Sequence, residues 1–311
     1  MQKCVDCFEN AIASCAEHDP LRTAIVHPVR ASDIEVASEA FAKKLIEPVL
    51  IGPKERVEAA AEEAKIDISS WEFVDAEHSH DAAAKGASMA AKFEVSAIMK
   101  GGLHTDEVLH AVIVTRSLMT ERRISHAYLM DIPTYHKPLV ISDAAVNIAP
   151  DLDVKADICQ NAIHFWRSLF GLDLTPKLAL LAAVETVNSK MQATIDAACL
   201  CKMSERGQIT HGLLDGPLAF DNAINKEAAI GKGILSEVAG DPDIIIPPNL
   251  ESCNILAKQL TFLANARAAG IILGARVPII LTSRSDSIDT RLMSCALAVK
   301  VAAARSMGAF K

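Results

Sequence analysis

VPIILTSRSDS, residues 277–287, is a short apolar run that passes directly into a polar loop. Residues 289–304 follow with a helical pattern, because apolar side chains recur there at the i, i+3, i+4, i+7 spacing of Leu292, Cys295, Ala296 and Val299. A buried strand, a polar loop and an amphipathic helix in this order are typical of the βα units of an α/β fold. The segment therefore predicts a strand at residues 278–282 and a terminal helix at residues 289–304.

The same alternation extends along the rest of the chain. Further strands are predicted at residues 22–28, 48–52, 72–75, 96–100, 139–141, 178–184, 210–214, 243–246 and 271–273. Further helices are predicted at residues 32–46, 54–65, 155–170 and 192–203. Strand–helix alternation of this kind implies parallel βαβ units. Because ligands bind beyond the carboxyl ends of the strands in open α/β sheets, the loops that follow the strands are the candidate sites.

Length, charge and cysteine content limit the class of protein. The chain has 311 residues, half of them apolar, which suggests two domains with full hydrophobic cores. A net charge of −8 and the lack of a Lys/Arg block argue against binding to nucleic acid or to an anionic membrane. No apolar run approaches the roughly 18 residues that span a bilayer, and the N-terminus does not resemble a signal peptide. The eight cysteines are too sparse for a disulfide framework, so we expect a cytoplasmic protein.

The loop Ser283-Arg284-Ser285-Asp286-Ser287 has the richest chemistry in the chain. Main-chain N–H groups at the start of a helix favour an anion, and the planar guanidinium of Arg284 suits phosphate oxygens. A structural interpretation stands beside the functional one. Asp286 or Ser287 would then cap the helix, and Arg284 would pair with Asp286.

A second loop, Lys100-Gly101-Gly102-Leu103-His104-Thr105, also follows an apolar run. Its two glycines would let a ligand approach the main chain closely. The spacing matches neither a P-loop nor the Gly-x-Gly-x-x-Gly fingerprint, so nucleotide binding by those routes is not supported. An ordinary tight turn is the alternative.

Two further loops contain polar groups after predicted strands. They are Ser142-Asp143-Ala144-Ala145-Val146-Asn147 and Asp215-Gly216-Pro217-Leu218-Ala219-Phe220-Asp221-Asn222-Ala223. Both are also compatible with purely structural roles, since Gly-Pro marks a turn and Asp221 and Asn222 are candidate helix caps. Cys4-x-x-Cys7 has no second pair, and the ten histidines show no metal-ligand spacing, so no metal site is predicted.

Several of these segments together resemble the phosphate acetyltransferase/phosphate butyryltransferase family. They are MQATIDAA (191–198), KM (202–203), RGQI (206–209), DGPLAFDNAI (215–224) and VPIILTSRSDS (277–287), with additional matches at residues 140–150 and 177–187. The similarity extends over residues 21–304, and the butyryl-type branch looks closer than the acetyl-type branch. Similar modules also occur fused to an enoyl-CoA hydratase.

The resemblance implies a fold and an assembly. It predicts two doubly wound α/β domains around a cleft, like those of isocitrate and isopropylmalate dehydrogenases. Residues 1–136 and 271–311 would form the first domain, and residues 137–270 the second. The resemblance also implies a homodimer with no metal and no bound cofactor, for which coenzyme A (CoA) is a substrate.

The implied activity is the reversible transfer of a short acyl group, acetyl to butyryl, between CoA and inorganic phosphate. Arg284 would hold the phosphoryl group, Ser283 would donate a hydrogen bond to the oxyanion or the thiol, and Asp286 or Asp289 would act as the base. The expected substrate-binding residues are Lys100, Gly101, Gly102, His104, Thr105, Asp143, Asn147, Asp221, Asn222, Asn254 and Ser287.

Two other functions fit the same fold class. A metal-dependent decarboxylating dehydrogenase would need clustered aspartates and an NAD(P) site, and we see no such aspartate cluster in the sequence. A non-catalytic module that senses CoA or acyl phosphate would bind these ligands without turnover. Assays of nicotinamide-linked absorbance and of turnover distinguish both alternatives from an acyltransferase.

Overall fold

The structure is a computed structural model that describes residues 7–281 and 286–309. The chain divides into two compact units. The first unit comprises Phe8–Arg122 and the described residues from Ala269 onward, and the second comprises Arg123–Ala268.

Strands and helices alternate through most of the described chain. The strands are β1 (Leu21–Val26), β2 (Ile46–Gly52), β3 (Glu72–Asp75), β4 (Ala97–Lys100), β5 (Ser125–Asp131), β6 (Leu139–Ser142), β7 (Lys177–Leu181), β8 (Leu213–Leu218), β9 (Ile244–Ile246), β10 (Arg267–Leu273) and β11 (Ile279–Ile280). The α-helices are α1 (Cys7–Ser14), α2 (Ala31–Ala42), α3 (Lys54–Ala64), α4 (Ser79–Ala91), α5 (Thr105–Val114), α6 (Leu152–Phe170), α7 (Gln192–Glu205), α8 (Phe220–Ile224), α9 (Lys226–Gly231), α10 (Leu250–Leu263) and α11 (Ile288–Ser306). Short 3-10 helices occur at Cys15–Glu17 and Arg116–Leu118.

In the first unit the strands are arranged in the order β3-β2-β1-β4-β11-β10. The pairs from β3 to β11 are parallel, and β10 runs antiparallel to β11. Small residues on α4 let this helix lie close to the sheet, since a Cβ on Gly86 would be only 2.9 Å from the Val26 side chain. Ile25, Leu50 and Ile98 are buried in the core that results.

In the second unit the order is β5-β6-β9-β7-β8. The strands from β6 to β8 are parallel to their neighbours, whereas β5 runs antiparallel to β6. Apolar side chains such as Met130, Ile141, Ala179 and Ile245 form one buried cluster. Parallel strands of this kind are nearly continuous apolar runs because both faces of the sheet are covered.

The α/β class predicted from the sequence is confirmed, with some differences in element boundaries. The helix predicted at residues 32–46 ends at Ala42, because Lys44 adopts a positive φ of 56° and the N–H of Leu45 donates to the Ala40 carbonyl. The chain then enters β2 at Ile46. Strand β5 was not predicted, since its buried Ser125 and His126 interrupt the apolar pattern. None of the helices described here has the length and hydropathy needed to cross a membrane.

Candidate functional site

Three parallel strands of the first unit end side by side. Val26, the last residue of β1, pairs with Lys100, the last residue of β4. Met99 of β4 pairs with Ile280, the last residue of β11. The carboxyl ends of the three strands therefore share one edge of the sheet, with β4 in the middle. Ligands bind at such an edge in open α/β sheets, and two of the candidate loops predicted from the sequence, residues 100–105 and 283–287, follow strands that end there.

The turn after β4 packs on the end of β1 through the main chain. Gly101 N donates to the Val26 carbonyl at 2.9 Å, and Gly102 N donates to the His27 carbonyl at 2.8 Å. A Cβ on Gly101 would lie 2.7 Å from the Val26 oxygen and 2.8 Å from the His27 oxygen. Only glycine fits this position without a shift of the main chain.

Lys100 is buried at this edge, with only 8% of its surface exposed. Its Nζ lies 3.4 Å from the carbonyl oxygen of Gly101. A buried lysine retains its charge only where polar groups or anions compensate for the loss of water. The arrangement therefore places an ammonium group beside the glycine turn, where an anionic ligand would interact with it.

His104 and Thr105 form the start of α5. The main-chain N–H of His104 donates to the carboxylate of Glu107 at 3.1 Å, and the same carboxylate accepts from Ser79 Oγ at 3.1 Å. The ring of His104 is exposed, and Thr105 is half-buried. The predicted roles of His104 and Thr105 in substrate binding stay predictions.

Helix α11 begins directly after the loop that the sequence predicts at residues 283–287. Ser283 and Arg284 lie outside the described residues. Ser287 caps the helix, since its Oγ accepts from Thr290 N at 3.2 Å. Asp286 is half-buried and Asp289 is exposed. The choice between the two carboxylates as the base stays open.

Two residues near this edge, Arg291 and His27, were not predicted from the sequence. Arg291 lies one turn into α11 with 5% of its surface exposed, and its Nη1 donates to the Ser32 carbonyl at 3.3 Å. The signal that could have found it is a guanidinium within an otherwise apolar helix face. His27, which directly follows β1, is the second residue that was not predicted.

His27 combines two unfavourable features at the end of β1. It adopts a positive φ of 55°, and its Nδ1 is buried without a hydrogen-bond partner among the described residues. Burial lowers the pKa of His27 below its ordinary value, an effect that nearby Arg56 reinforces and Glu107 opposes. The imidazole is therefore neutral at pH 7. Local costs of this kind accumulate at functional sites more often than elsewhere.

The second unit places Asp143 at the carboxyl end of β6. Its carboxylate accepts from the main-chain N–H groups of Ala145, Val146 and Asn147 at 3.0, 3.1 and 3.0 Å. It also accepts from Asn147 Nδ2 at 2.6 Å. These bonds hold the main chain of the loop after β6, and the side chain of Asn147, in one conformation.

Asn254 joins this loop from α10. Its Nδ2 donates to the Ala144 carbonyl at 3.1 Å. The ring of His126 lies beside the same loop, and burial lowers its pKa to about 4, although the charge of Asp143 raises it in part. Asp143, Asn147 and Asn254 are thus brought together at one loop, and their predicted roles in substrate binding stay predictions.

Asp221 and Asn222 lie at the carboxyl end of β8, which is separated from β6 by β9 and β7. Asn222 is fully buried, its Nδ2 donates to Glu185 at 3.3 Å, and its Oδ1 has no partner among the described residues. Lys232 lies 3.0 Å from Glu185 and 3.3 Å from Asp221. Two strands of the sheet therefore separate this second group from Asp143.

A small pocket opens at the carboxyl ends of β7 and β9. Its floor contains a buried ion pair, in which Lys155 Nζ lies 2.6 Å from Asp196 Oδ2. Gln192 Nε2 donates to the other carboxylate oxygen at 2.8 Å. The apolar wall consists of Leu180, Leu181, Ala193, Ala197, Leu200, Ile246, Pro247 and Pro248. In residues 7–281 and 286–309 no three His, Cys, Asp or Glu side chains are grouped to hold a metal ion.

Comparison with known proteins identifies the family. The model of the family described as "Phosphate acetyl/butaryl transferase" matches residues 76–299. A phosphate acetyltransferase of Rhizobium meliloti is 50% identical over 299 residues, which are 96% of this chain and 94% of that protein. This chain belongs to the phosphate acetyl/butyryltransferase family.

Other members of the family extend the comparison. A phosphate butyryltransferase of Clostridium beijerinckii is 36% identical, with 87% of this chain and 89% of that protein covered. A branched-chain phosphotransacylase from Enterococcus faecalis, known from its crystal structure, is 26% identical and superposes with a TM-score of 0.77. That comparison covers 91% of this chain and 99% of the other. Enzymes of both names are thus similar to the chain over most of its length.

Proposed function

We propose that this protein is an acyltransferase that moves a short acyl group reversibly between CoA and inorganic phosphate. Membership of the family supports the reaction class. The observation that carries the proposal is the edge of the first unit, where the buried Lys100 and the glycine turn end β4 directly beside the end of β11. An ammonium group and closely packed main chain at the carboxyl end of a parallel sheet suit a phosphate.

The chemistry needs no covalent acyl-enzyme. In the direction of acyl-CoA formation, the CoA sulfur attacks the carbonyl carbon of acyl phosphate, and a C–S bond forms. The C–O bond to phosphate breaks, inorganic phosphate leaves with the electron pair, and the thiol proton passes to a base. The reverse reaction forms the C–O bond from phosphate and releases CoA.

The roles of the residues follow from the proton that leaves the thiol and from the negative charge that develops on the oxyanion and the phosphate. A thiol with a pKa of about 8.5 is mostly protonated at pH 7, so a carboxylate helps by accepting the proton. Asp286 or Asp289 takes this role in the proposal. Ser283 and Arg284 retain the roles that the family resemblance implies, as oxyanion or thiol donor and as phosphoryl ligand. Lys100 adds positive charge on the phosphate side of the reaction.

The proposal includes the conditions under which the protein works. CoA enters as a substrate, and no metal or bound cofactor takes part. The active form is a homodimer in the cytoplasm. Relatives named acetyltransferase and butyryltransferase support an acyl chain of two to four carbons as the substrate range, without fixing a preference within it.

The proposal is tested by phosphate-dependent release of CoA. Purified protein is mixed with acetyl-, propionyl- or butyryl-CoA, with and without inorganic phosphate, and the free thiol is measured. We expect release that requires phosphate and that ranks the three chain lengths. Ligand binding without any release would support a sensing module, and nicotinamide-linked absorbance with hydroxy acids and Mg²⁺ would support a dehydrogenase.

A further inference from the structure

Arg30, at the start of α2, forms an ion pair that extends to the glycine turn. Its Nε donates to Asp33 Oδ2 at 2.9 Å, and its Nη2 donates to Asp33 Oδ1 at 2.6 Å. Nη2 also donates to the carbonyl oxygen of Gly101 at 3.1 Å. Asp33 is buried, with 3% of its surface exposed, whereas Arg30 is partly exposed. A guanidinium held at both carboxylate oxygens has little freedom to turn away.

The carbonyl oxygen of Gly101 is therefore shared by two cations. Lys100 Nζ lies 3.4 Å from it, and Arg30 Nη2 lies 3.1 Å from it. Glycine has the least restricted main chain of all residues, so a peptide at Gly101 needs outside contacts to hold one orientation. The main-chain bonds to β1 fix its N–H side, and Arg30 fixes its carbonyl side.

We propose that Arg30 is a positioning residue for the acyl transfer reaction. Paired with Asp33, it holds the Gly101 carbonyl and so sets the place of the Lys100 ammonium that binds phosphate. The inference rests on the proposed function, because phosphate binding at Lys100 is part of it. Small displacements of a positioned group can lower a rate about a hundredfold. A side chain that fixes the position of the Lys100 ammonium is therefore expected to affect turnover.

Arg22 of β1 provides a matched control for Arg30. Arg22 lies at the amino end of β1 and, like Arg30, binds carboxylate oxygens (of Glu47 and Glu72) and one main-chain carbonyl, that of Glu94. The amino end of the sheet is the edge opposite to Lys100. If Arg30 only stabilises the fold, replacing either arginine by lysine should have the same consequences.

The experiment compares Arg30→Lys with Arg22→Lys in the full chain. Lysine keeps the charge but loses the planar fork. We expect the KM for phosphate to rise about tenfold in Arg30→Lys, with the KM for acyl-CoA unchanged, and Arg22→Lys to leave both constants within about twofold. Equal kinetic effects of the two variants would overturn the inference. So would an effect of Arg30→Lys confined to kcat, because partial unfolding lowers kcat without changing KM.

A second measurement does not depend on turnover. Hydrogen exchange of the segment with Gly101 and Gly102 is followed in wild type and in both variants, with and without inorganic phosphate. We expect faster exchange in Arg30→Lys and in Asp33→Asn, and no change in Arg22→Lys. Unchanged hydrogen exchange in Arg30→Lys would contradict the inference that Arg30 holds the Gly101 carbonyl. If wild type releases no CoA while the exchange result holds, the proposed function fails and the positioning of the turn by Arg30 stands.

Discussion

The N–H of Gly102 donates to the carbonyl oxygen of His27 at 2.8 Å, so the turn after β4 rests directly on the end of β1. This contact joins the neutral, buried His27 to the turn that follows Lys100. The turn contains glycine because a side chain on Gly101 would have no room beside the carbonyl oxygens of Val26 and His27. The candidate site is thus built from main chain as well as from charged side chains.

The close packing of Gly101 against the carbonyl oxygens of Val26 and His27 gives the first prediction. Gly101→Ala would place a Cβ within 2.8 Å of two carbonyl oxygens, so the turn must shift and displace Lys100. We expect kcat/KM for phosphate to fall at least about tenfold. Gly231→Ala is the matched control, since a Cβ there has nothing within 4 Å. Equal activity of both variants would show that the close packing of the turn is irrelevant to the reaction.

Asp286 and Asp289 give the second prediction. Each is replaced by asparagine, which keeps the shape and removes the proton acceptor. We expect one of the two variants to lose most of its rate of thiol attack, by about a hundredfold, and to keep its affinity for CoA. Rates are measured from acyl phosphate and CoA across pH 6 to 9. Wild-type rates in both variants would place the base elsewhere.

Much of the first unit could be predicted from the sequence, because short apolar runs identify buried parallel strands. The loops after β4 and β11 were singled out on the same basis, and the structure ends these strands side by side. His27 and Arg291 could not be found this way. Their importance lies in burial and partners that are distant in sequence, as in the contact of Arg291 with Ser32.

In the second unit, the sequence again predicted which residues are involved but not their hydrogen bonds. Asp143, Asn147 and Asn254 were predicted as site residues, and they do lie together. That the carboxylate of Asp143 accepts three N–H groups of its own loop could not be predicted from the residue pattern. Local hydrogen bonds of this kind depend on the path of the main chain, which periodicity does not report.

His126 gives the third prediction, on the pH dependence of stability. Its pKa is about 4 in the folded protein because of burial, against an ordinary value of 6.5. The unfolded chain therefore binds more protons between pH 6.5 and 4, and the contribution of this group to stability is complete above pH 6.5 and declines as the pH falls. Urea unfolding at pH 7 and pH 5 should show a smaller decline for His126→Gln than for wild type. An identical pH dependence would contradict this assignment.

The buried pair of Lys155 and Asp196 gives the fourth prediction. Asp196→Asn leaves the Lys155 ammonium without its carboxylate in a buried site, which costs about 3–5 kcal/mol of unfolding free energy. Lys54→Gln breaks the exposed pair with Glu58 and should cost less than about 1 kcal/mol. Urea unfolding measures both values. Similar small losses in the two variants would mean that the pair is not buried as the structure shows.

The proposed reaction depends on binding of phosphate by the buried ammonium of Lys100. Its most direct test is the phosphate dependence of CoA release in Lys100→Met, with the exposed Lys202→Met as the control. We expect a rise in the KM for phosphate of at least about tenfold in Lys100→Met alone, with the KM for acyl-CoA preserved. An unchanged KM for phosphate in Lys100→Met would contradict it.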